Sequence, residues 1–344
     1  MTLRVAINGY GRIGRNFLRA LYEDRAAGKL HDLQVVAIND IGSSESLVHL
    51  TRYDTTHGRY QGEVTLQSES SLDYLVIDGD AIPLYQFRKP TQCPWKALAV
   101  DVVLECTGVF RACADARMHL EAGAKRVIIG AVGFDEMDAT IIYGVNHDTL
   151  QPTDRIVSNA SCTTHCIAPL LALFDAEWGV EGALMTEIHA YTSDQHLLDK
   201  THRDLRRARA AAQNLIPTTS SSINAVQQVL PQLVGKVDGY SMRVPTINVA
   251  AVDLTFSLRH AVTVEAINER MRLAACDDYR GILGYCYDQL VSSDYIHRPE
   301  SAIYDATQTK VLGNMVKMTA WYDNEWGYTH RLLDLLSVMA TQNK

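Results

Sequence analysis

The sequence predicts an α/β protein with two domains, in which a doubly wound, mostly parallel sheet precedes an α+β domain with a mostly antiparallel sheet. Two observations carry this prediction: short apolar strands alternate with helices up to about residue 160, and longer strands follow. A chain of 344 residues is also long enough for two domains. We place these domains at residues 1–160 and 161–324, with a helix at 325–344 packing back on the first.

The amino-acid composition argues against two classes of binding partner, nucleic acids and membranes. The chain has 32 Lys and Arg against 40 Asp and Glu, a formal net charge of −8, which disfavours nucleic acid and anionic membranes. The N-terminus does not resemble a signal peptide, and the sequence has no apolar run of about 18 residues that would predict a membrane span. Seven cysteines, an odd number, indicate reduced thiols. We therefore expect a cytoplasmic protein without nucleic-acid or membrane partners.

The first element pair predicts a nucleotide site. An apolar strand at 3–7 precedes Gly9-Tyr10-Gly11-Arg12-Ile13-Gly14, which opens a helix, and a second strand at 33–38 ends near Asp40. Such glycines let the backbone approach a pyrophosphate at the helix N-terminus, and a carboxylate accepts hydrogen bonds from a ribose diol. We therefore predict a dinucleotide-binding (Rossmann) domain with Asp40 favouring NAD over NADP. The cofactor residues are Gly9, Gly11, Arg12, Ile13, Gly14 and Asp40. The alternative is a β–α turn whose glycines serve only close packing.

Further strands and a helix complete the predicted dinucleotide-binding domain. Strands are predicted at 100–105, 126–130, 140–145 and 155–158, with a helix at 112–122. Thr107 and Gly108 directly follow the first of these strands. Because such sheets bind ligands beyond the carboxyl ends of their strands, we add both residues to the cofactor site.

The second domain has longer elements. A helix is predicted near 167–178, and strands are predicted at 183–191, 239–244, 248–258 and 315–322. A final helix is expected at 328–340. The stretch at 192–215, with four arginines between Arg203 and Arg209, is too long for a simple connection and predicts a functional loop or an interface.

The densest polar cluster predicts a nucleophile. Cys162 lies in Ser158-Asn159-Ala160-Ser161-Cys162-Thr163-Thr164-His165-Cys166, where a strand leads into a helix. At the first turn of a helix, the dipole lowers a thiol pKa, and N–H groups with neighbouring hydroxyls form an anion pocket. His189 stands in an otherwise apolar strand and is the best candidate for the base. The alternatives are an inert core cysteine and a core histidine. We predict no metal site, since a second ligand pair is absent from the sequence.

Four segments together resemble one known family. Val5-Ala6-Ile7-Asn8 with the glycine turn, Ser-Asn-Ala-Ser-Cys-Thr-Thr at 158–164, Arg-Val-Pro-Thr at 243–246 and Trp-Tyr-Asp-Asn-Glu-Trp-Gly-Tyr at 321–328 are similar to phosphorylating glyceraldehyde-3-phosphate dehydrogenases. The similarity extends in order over essentially the whole chain. It implies a homotetramer that binds a phosphorylated aldehyde and inorganic phosphate.

The resemblance also implies residue roles. Cys162 would attack the aldehyde, and His189 would take the thiol proton and assist hydride departure to NAD. The resulting thioester would be split by phosphate. Asn324 would hold the nicotinamide carboxamide. The substrate and phosphate binders implied in this way are Ser161, Thr163, Thr192, Asp194, Ser220, Ser221 and Arg243.

The departures from the family pattern leave alternatives open. His165 replaces an Asn, which we interpret as the exchange of a structural amide rather than a perturbation of the thiolate, and Ser221 replaces a Gly. Thr307-Gln308-Thr309 resembles an erythrose-4-phosphate dehydrogenase branch, whereas 190–195 and 205–210 resemble the glyceraldehyde-3-phosphate enzymes. Because residues that touch substrate decide specificity, we expect glyceraldehyde 3-phosphate, with D-erythrose 4-phosphate as the alternative. A Cys–His hydrolase and a non-catalytic, redox-sensing dinucleotide binder are more remote hypotheses.

Overall fold

The computed structural model describes residues 2–29 and 32–342. These residues group into two compact units. Unit 1 comprises the described residues up to Ile141, then Asn146–Ala160 and those from Thr329 onward. Unit 2 comprises Ile142–Val145 and Ser161–Tyr328.

Unit 1 is built on a nine-stranded sheet with the strand order β10-β11-β9-β8-β1-β2-β7-β6-β5. Its elements are β1 (Leu3–Asn8), α1 (Arg12–Ala26), β2 (Leu33–Asn39), α2 (Ser44–Arg52), β3 (Tyr53–Asp54), β4 (Gly58–Arg59), β5 (Val64–Glu69), β6 (Leu72–Ile77), β7 (Asp80–Tyr85), β8 (Val102–Glu105), α3 (Cys113–Glu121), β9 (Arg126–Ile129), β10 (Ala139–Thr140) and β11 (Ile156–Ser158). The pairs from β10 through β7 are parallel, and β5, β6 and β7 form an antiparallel meander.

The centre of this sheet positions the predicted nucleotide residues. β1 lies between β2 and β8, parallel to both, and its apolar side chains are almost fully buried. The carboxyl ends of these three strands therefore meet at one edge, where Gly9, Asp40 and Thr107 follow them. The doubly wound fold class is confirmed.

Two parts of unit 1 differ from the sequence prediction. The strand expected at 140–145 is limited to β10 because Gly144 has φ +88° and Val145 N donates to Ile142 O, which forms a turn. The meander of β5 to β7 was not predicted. Its outer strand β5 has four polar side chains among six residues and a mostly exposed surface, so it lacks a strong apolar signal.

Unit 2 contains a seven-stranded sheet with the order β13-β14-β12-β15-β18-β17-β16, in which four of the six pairs are antiparallel. Its elements are α4 (Cys162–Trp178), β12 (Val180–Ala190), β13 (Ile216–Thr218), α5 (Ser222–Val229), β14 (Val237–Val244), β15 (Ala250–Leu258), α6 (Val264–Cys276), β16 (Leu283–Cys286), β17 (Ala302–Leu312) and β18 (Met315–Tyr322). The mostly antiparallel sheet is thus confirmed.

The last helix, α7 (Trp326–Gln342), begins where Asp323 Oδ1 accepts hydrogen bonds from the N–H groups of Glu325 and Trp326. At its other end, the Gln342 side chain accepts from Arg126 and donates to the Leu150 carbonyl, both in unit 1. Across residues 2–29 and 32–342, no helix is long and apolar enough to cross a membrane.

Candidate active site

Cys162 is the first residue of α4, five residues earlier than the predicted helix start. Ser161 caps the helix because its Oγ accepts from Thr164 N at 3.1 Å. Ala160, just before the cap, has φ +47°, a left-handed conformation that costs a non-glycine residue of order 1–3 kcal/mol. The chain therefore makes a sharp turn between β11 and α4 that presents the thiol at the helix N-terminus.

His189 faces this thiol from β12. Its Nε2 lies 3.5 Å from Cys162 Sγ, within hydrogen-bond reach of sulfur. Its Nδ1 lies 2.6 Å from the Ala190 carbonyl oxygen, so we assign the ring proton to Nδ1. In that tautomer, the Nε2 lone pair is directed at the thiol and can accept its proton.

Arg243 brings a positive charge to the other side of the imidazole. β14 runs parallel to β12 with Arg243 in register with His189; Arg243 Nη1 lies 2.8 Å from Nδ1 and donates to the Ala190 carbonyl oxygen at 3.3 Å, the same oxygen that accepts from Nδ1. Burial and then this guanidinium lower the pKa of His189 to about 4. His189 is consequently a neutral base at physiological pH.

The expected lowering of the Cys162 pKa by the helix dipole is wrong for this structure. Burial and, to a smaller extent, the Glu187 carboxylate raise the thiol pKa to about 12, although Arg243 opposes them. Desolvation of the thiolate therefore outweighs the helix end, and the resting site holds a thiol beside a neutral imidazole. Formation of the thiolate depends on proton transfer to His189.

Serine hydroxyls form a cluster beside the cap of α4. Ser161 Oγ lies 3.1 Å from Ser222 Oγ, which accepts from Ser220 Oγ at 3.1 Å. Of the predicted phosphate binders, Ser161 and Ser220 are thus brought together, and Ser222 is a member that sequence analysis missed. Ser221 is exposed, and its φ of −80° is open to any residue, so the glycine expected there is not required by the backbone.

Thr163 meets a second residue that sequence analysis missed, Glu187. Thr163 Oγ1 donates to Glu187 Oε1 at 2.9 Å and lies 2.7 Å from Tyr322 OH. Glu187 is 2% exposed on β12, two residues before His189 and on the same face. The sequence did contain a signal for Glu187, because this charged residue stands at an inward-facing position of a strand whose side chains alternate between two faces.

The structure does not bring Asp194 into this cluster. Its side chain is 59% exposed, and its ion-pair partners among the described residues are His202 and Arg207, each at 3.5 Å. These contacts brace the 192–215 segment. Thr192 is half-buried at the start of that segment, where its carbonyl accepts from Gln195 N.

In unit 1, the glycine turn has two different kinds of glycine. A Cβ on Gly9, which has φ +89°, would lie 2.5 Å from Thr107 N, and a Cβ on Gly14 would lie 2.4 Å from Gly9 O. Both are required by internal packing. A Cβ on Gly11 would meet nothing within 4 Å among the described residues, so packing does not require this glycine and the space beside it could admit a ligand.

The start of α1 fits a pyrophosphate. Gly11 provides no side-chain cap, and the first intrahelical hydrogen bond is donated by Arg15 N to Gly11 O. The N–H groups of Arg12 and Ile13 precede that bond and lie at the positive end of the helix. The Arg12 side chain is ion-paired with Asp54. Burial alone would raise the pKa of that carboxyl, but hydrogen bonds from Arg12 and the N–H groups of His57 and Thr56 lower it to about 2.

The remaining predicted nucleotide residues are held in place by backbone contacts. Asp40 accepts from Tyr10 N at 2.7 Å and from Gly42 N at 2.8 Å, one bond on each carboxylate oxygen, which leaves a lone pair on each for a ribose diol. Thr107 N donates to the buried Glu105, and Gly108 follows with φ +72°.

Asn324, in unit 2, is 8% exposed, and its Oδ1 has no hydrogen-bond partner among the described residues. A buried amide oxygen in this state fits a ligand that donates an N–H, as a carboxamide does. His165 is buried with its ring edge-on to Tyr328, at 5.9 Å between centroids, a contact that supports a structural role.

These geometries define a class of protein. A thiol with an adjacent base, as in unit 2, can hold an aldehyde carbon covalently, and the start of α1 in unit 1 fits a dinucleotide, which is a hydride acceptor. The chain is accordingly an NAD-dependent oxidoreductase.

Comparison with known proteins identifies the particular family. Residues 3–113 match the glyceraldehyde 3-phosphate dehydrogenase NAD binding domain, and residues 161–324 match its C-terminal domain. The chain is 51% identical over 340 residues to the plasmid glyceraldehyde-3-phosphate dehydrogenase of Cupriavidus necator, with 99% of each chain covered. It is 50% identical to the enzyme of that name from Pseudomonas aeruginosa, with the same coverage. The enzyme of that name from Mycolicibacterium smegmatis is 47% identical, with 98% of this chain and 99% of the relative covered. The chain belongs to the glyceraldehyde 3-phosphate dehydrogenase family.

Proposed function

We propose that this chain oxidises glyceraldehyde 3-phosphate with NAD and inorganic phosphate to 1,3-bisphosphoglycerate and NADH. The family and the names of its relatives support this substrate. The single observation that carries the proposal is the grouping of Cys162, His189 and Arg243: a nucleophile, its base and a cation within reach of one small anionic aldehyde. The relatives give no support to D-erythrose 4-phosphate.

Acylation begins with His189. Its Nε2 takes the proton of Cys162 as Sγ bonds to the aldehyde carbon and passes it to the former carbonyl oxygen, which gives a thiohemiacetal and a neutral His189. Bound NAD supplies the hydride acceptor that turns this adduct into a thioester. His189 then accepts the hydroxyl proton of the adduct, and the N–H groups at the start of α4 stabilise the developing oxyanion.

Arg243 links substrate binding to this proton transfer. Its guanidinium binds the phosphate of the substrate, which fixes the aldehyde against Sγ. In the resting site the same charge opposes protonation of His189. A bound phosphate dianion neutralises that charge, so the pKa of His189 rises when substrate arrives. The base is thereby strengthened only when there is an aldehyde to attack.

The second step uses the serine cluster. Ser161 and Ser220, with Ser222, supply hydroxyl donors at the N-terminus of α4, the side from which inorganic phosphate attacks the thioester. Thr192 remains a binder of the substrate phosphate in this proposal. Ser221 contributes through its hydroxyl at the start of α5.

The NAD-binding residues act separately in the two units. In unit 1, the N–H groups at Gly11, Arg12 and Ile13 bind the pyrophosphate, Asp40 binds the adenosine ribose, and Thr107 and Gly108 line the edge of the sheet. In unit 2, Asn324 Oδ1 accepts from the nicotinamide carboxamide. The carboxylate of Asp40 repels a 2′-phosphate and so favours NAD.

We further propose that the domain division follows the two units, nucleotide-binding and catalytic, and that the chain works as a cytoplasmic homotetramer. The family resemblance supports the tetramer, with the 192–215 segment at a subunit interface. Sedimentation at micromolar concentration tests the assembly.

Steady-state kinetics of the purified protein test the function. We expect NADH formation with glyceraldehyde 3-phosphate, NAD and phosphate, and a lower kcat/KM with erythrose 4-phosphate or with NADP. Arg243→Gln is expected to lower kcat/KM for the phosphorylated aldehyde by roughly a hundredfold. Arg259→Gln, an exposed arginine, is the matched control and leaves it unchanged. A higher kcat/KM for erythrose 4-phosphate overturns the substrate assignment.

A further inference from the structure

Glu187 is a buried carboxylate in the active site that the proposed reaction does not use. On β12, the side chains of Met185, Glu187 and His189 point to the buried face, and Ile188 points outward. Glu187 therefore lies one pleat before the base, beneath the N-terminus of α4. Only 2% of it is exposed.

The two oxygens of Glu187 have different surroundings. Oε1 accepts from Thr163 Oγ1 at 2.9 Å and lies 3.7 Å from His189 Nε2 and 4.0 Å from Arg243 Nη2. Oε2 is buried without a hydrogen-bond partner among the described residues. A buried carboxylate oxygen without a hydrogen bond is unfavourable in free energy. We therefore expect Oε2 to accept a hydrogen bond from a donor outside the chain. Water is such a donor, and unlike a phosphate ion it carries no negative charge for the carboxylate to repel.

The hydrogen bonds of the Thr163 hydroxyl also favour water as the nucleophile. A threonine hydroxyl has one proton, and Thr163 donates it to Glu187. The Tyr322 hydroxyl, 2.7 Å away, must then donate to Thr163. Thr163 is left without a proton for an attacking phosphate, and the Glu187 charge repels that phosphate. The neighbourhood of Glu187 thus favours a neutral nucleophile.

We propose that Glu187 is a general base that lets water hydrolyse the acyl-enzyme, as a second fate beside attack by phosphate. This inference rests on the proposed function, which supplies the thioester at Cys162. Oε2 takes a proton from water as the water oxygen bonds to the thioester carbonyl carbon. The tetrahedral adduct collapses, the C–S bond breaks, and Sγ leaves and receives a proton from Glu187. The product is the carboxylate of the substrate plus one proton, and no further oxidant is required.

The two fates respond differently to phosphate. In phosphate-free buffer, hydrolysis sustains NADH formation beyond the first turnover. As phosphate rises, the acyl phosphate replaces the carboxylate among the products. The ratio of the two products measures the competition between water and phosphate.

The test compares the wild-type protein with Glu187→Gln, which keeps the size and the acceptor oxygen but removes the basic oxygen and the charge. Glu181→Gln, an exposed glutamate on the same strand, is the matched control. Each protein is mixed with glyceraldehyde 3-phosphate and excess NAD in phosphate-free ¹⁸O-water. NADH is followed by absorbance, and the product is analysed by mass spectrometry.

We expect wild type and Glu181→Gln to continue past one NADH per chain and to release the free carboxylate, labelled with ¹⁸O from the water. Glu187→Gln should still form one NADH per chain in the first turnover and should lose roughly tenfold or more of the later rate. Its KM for phosphate should fall because a negative charge is gone.

Several outcomes overturn the inference: a wild-type reaction that stops after one NADH per chain, a Glu187→Gln variant that hydrolyses at the wild-type rate, or a variant that also loses the burst. A wild-type protein that gives no burst at all contradicts the proposed function instead. The two failures are therefore distinguishable.

Discussion

Two helix N-termini, at the starts of α1 and α4, are central to the proposed chemistry, and they differ in how they are capped. α1 in unit 1 begins at Gly11 without a side-chain cap, and in the proposed function its first turn binds an external anion. α4 in unit 2 begins at Ser161, whose hydroxyl caps Thr164 N, and it carries Cys162 as its first residue. In the proposed function, the start of α1 binds a ligand through its backbone, and the start of α4 positions the Cys162 side chain.

This difference explains why sequence motifs predict the α1 site more completely than the Cys162 site. A backbone site is fixed by where glycines must stand, because the surroundings exclude a Cβ at Gly9 and Gly14. A side-chain site depends on which residues the neighbouring strands bring close. The Cys162 thiol is governed by Glu187, His189 and Arg243, and burial among them outweighs the helix end.

The largest expected effect comes from deleting the nucleophile. Cys162→Ala should abolish turnover because no other group in the cluster can form the thioester. NAD affinity should remain at the wild-type value, since the α1 site is made of backbone. Isothermal titration with NAD and an NADH assay measure the two properties. Residual turnover above the buffer rate would show that Cys162 is not the nucleophile.

Removal of the base should have the next largest effect. His189→Asn is expected to slow the first-turnover appearance of NADH by about 10²–10⁴-fold, because the half-buried thiol, with its raised pKa, then has no proton acceptor. Stopped-flow absorbance measures that rate. Recovery of the rate with rising pH in the variant would support the role, and an unchanged rate would dismiss it.

Two alanine variants separate packing from ligand approach at α1. Gly14→Ala places a Cβ 2.4 Å from Gly9 O and should lower both stability, by about 1–3 kcal/mol, and NAD affinity. Gly11→Ala meets nothing within 4 Å and should leave stability unchanged while weakening NAD binding by roughly tenfold. Thermal unfolding and titration are the measurements. Wild-type NAD binding in Gly11→Ala would favour the packing-only interpretation of the glycine turn.

The smallest effect concerns pH. Because burial and Arg243 lower the pKa of His189 to about 4, the base stays unprotonated below the ordinary histidine value, and it loses activity only as pH falls through about 4. We expect kcat/KM to show no histidine limb from about pH 8 to about pH 5. Arg243→Gln removes a positive charge, raises that pKa and moves the limb upward. A wild-type midpoint near the ordinary histidine pKa of about 6.5 would contradict this account.

The two units also differ in what could be predicted. The fold class, the family and the positions of Cys162 and His189 were predictable because strand alternation and short motifs are local signals. Glu187 and Ser222 were missed because their importance depends on register: Glu187 lies on the same face as His189, and Ser222 reaches Ser161 across 61 positions of chain. The thiol pKa was predicted wrongly because desolvation is set by long-range packing.

The most direct test of the central claim is a rapid-quench measurement of the first turnover without phosphate. Protein, NAD and glyceraldehyde 3-phosphate are mixed, quenched in acid and digested, and the cysteine peptides are weighed while NADH is quantified in parallel. We expect acyl mass on the Cys162 peptide to appear at the rate at which NADH forms, before any later loss of the acyl group to water. NADH formed without acylation of that peptide, or acyl mass on Cys166 instead, would contradict it.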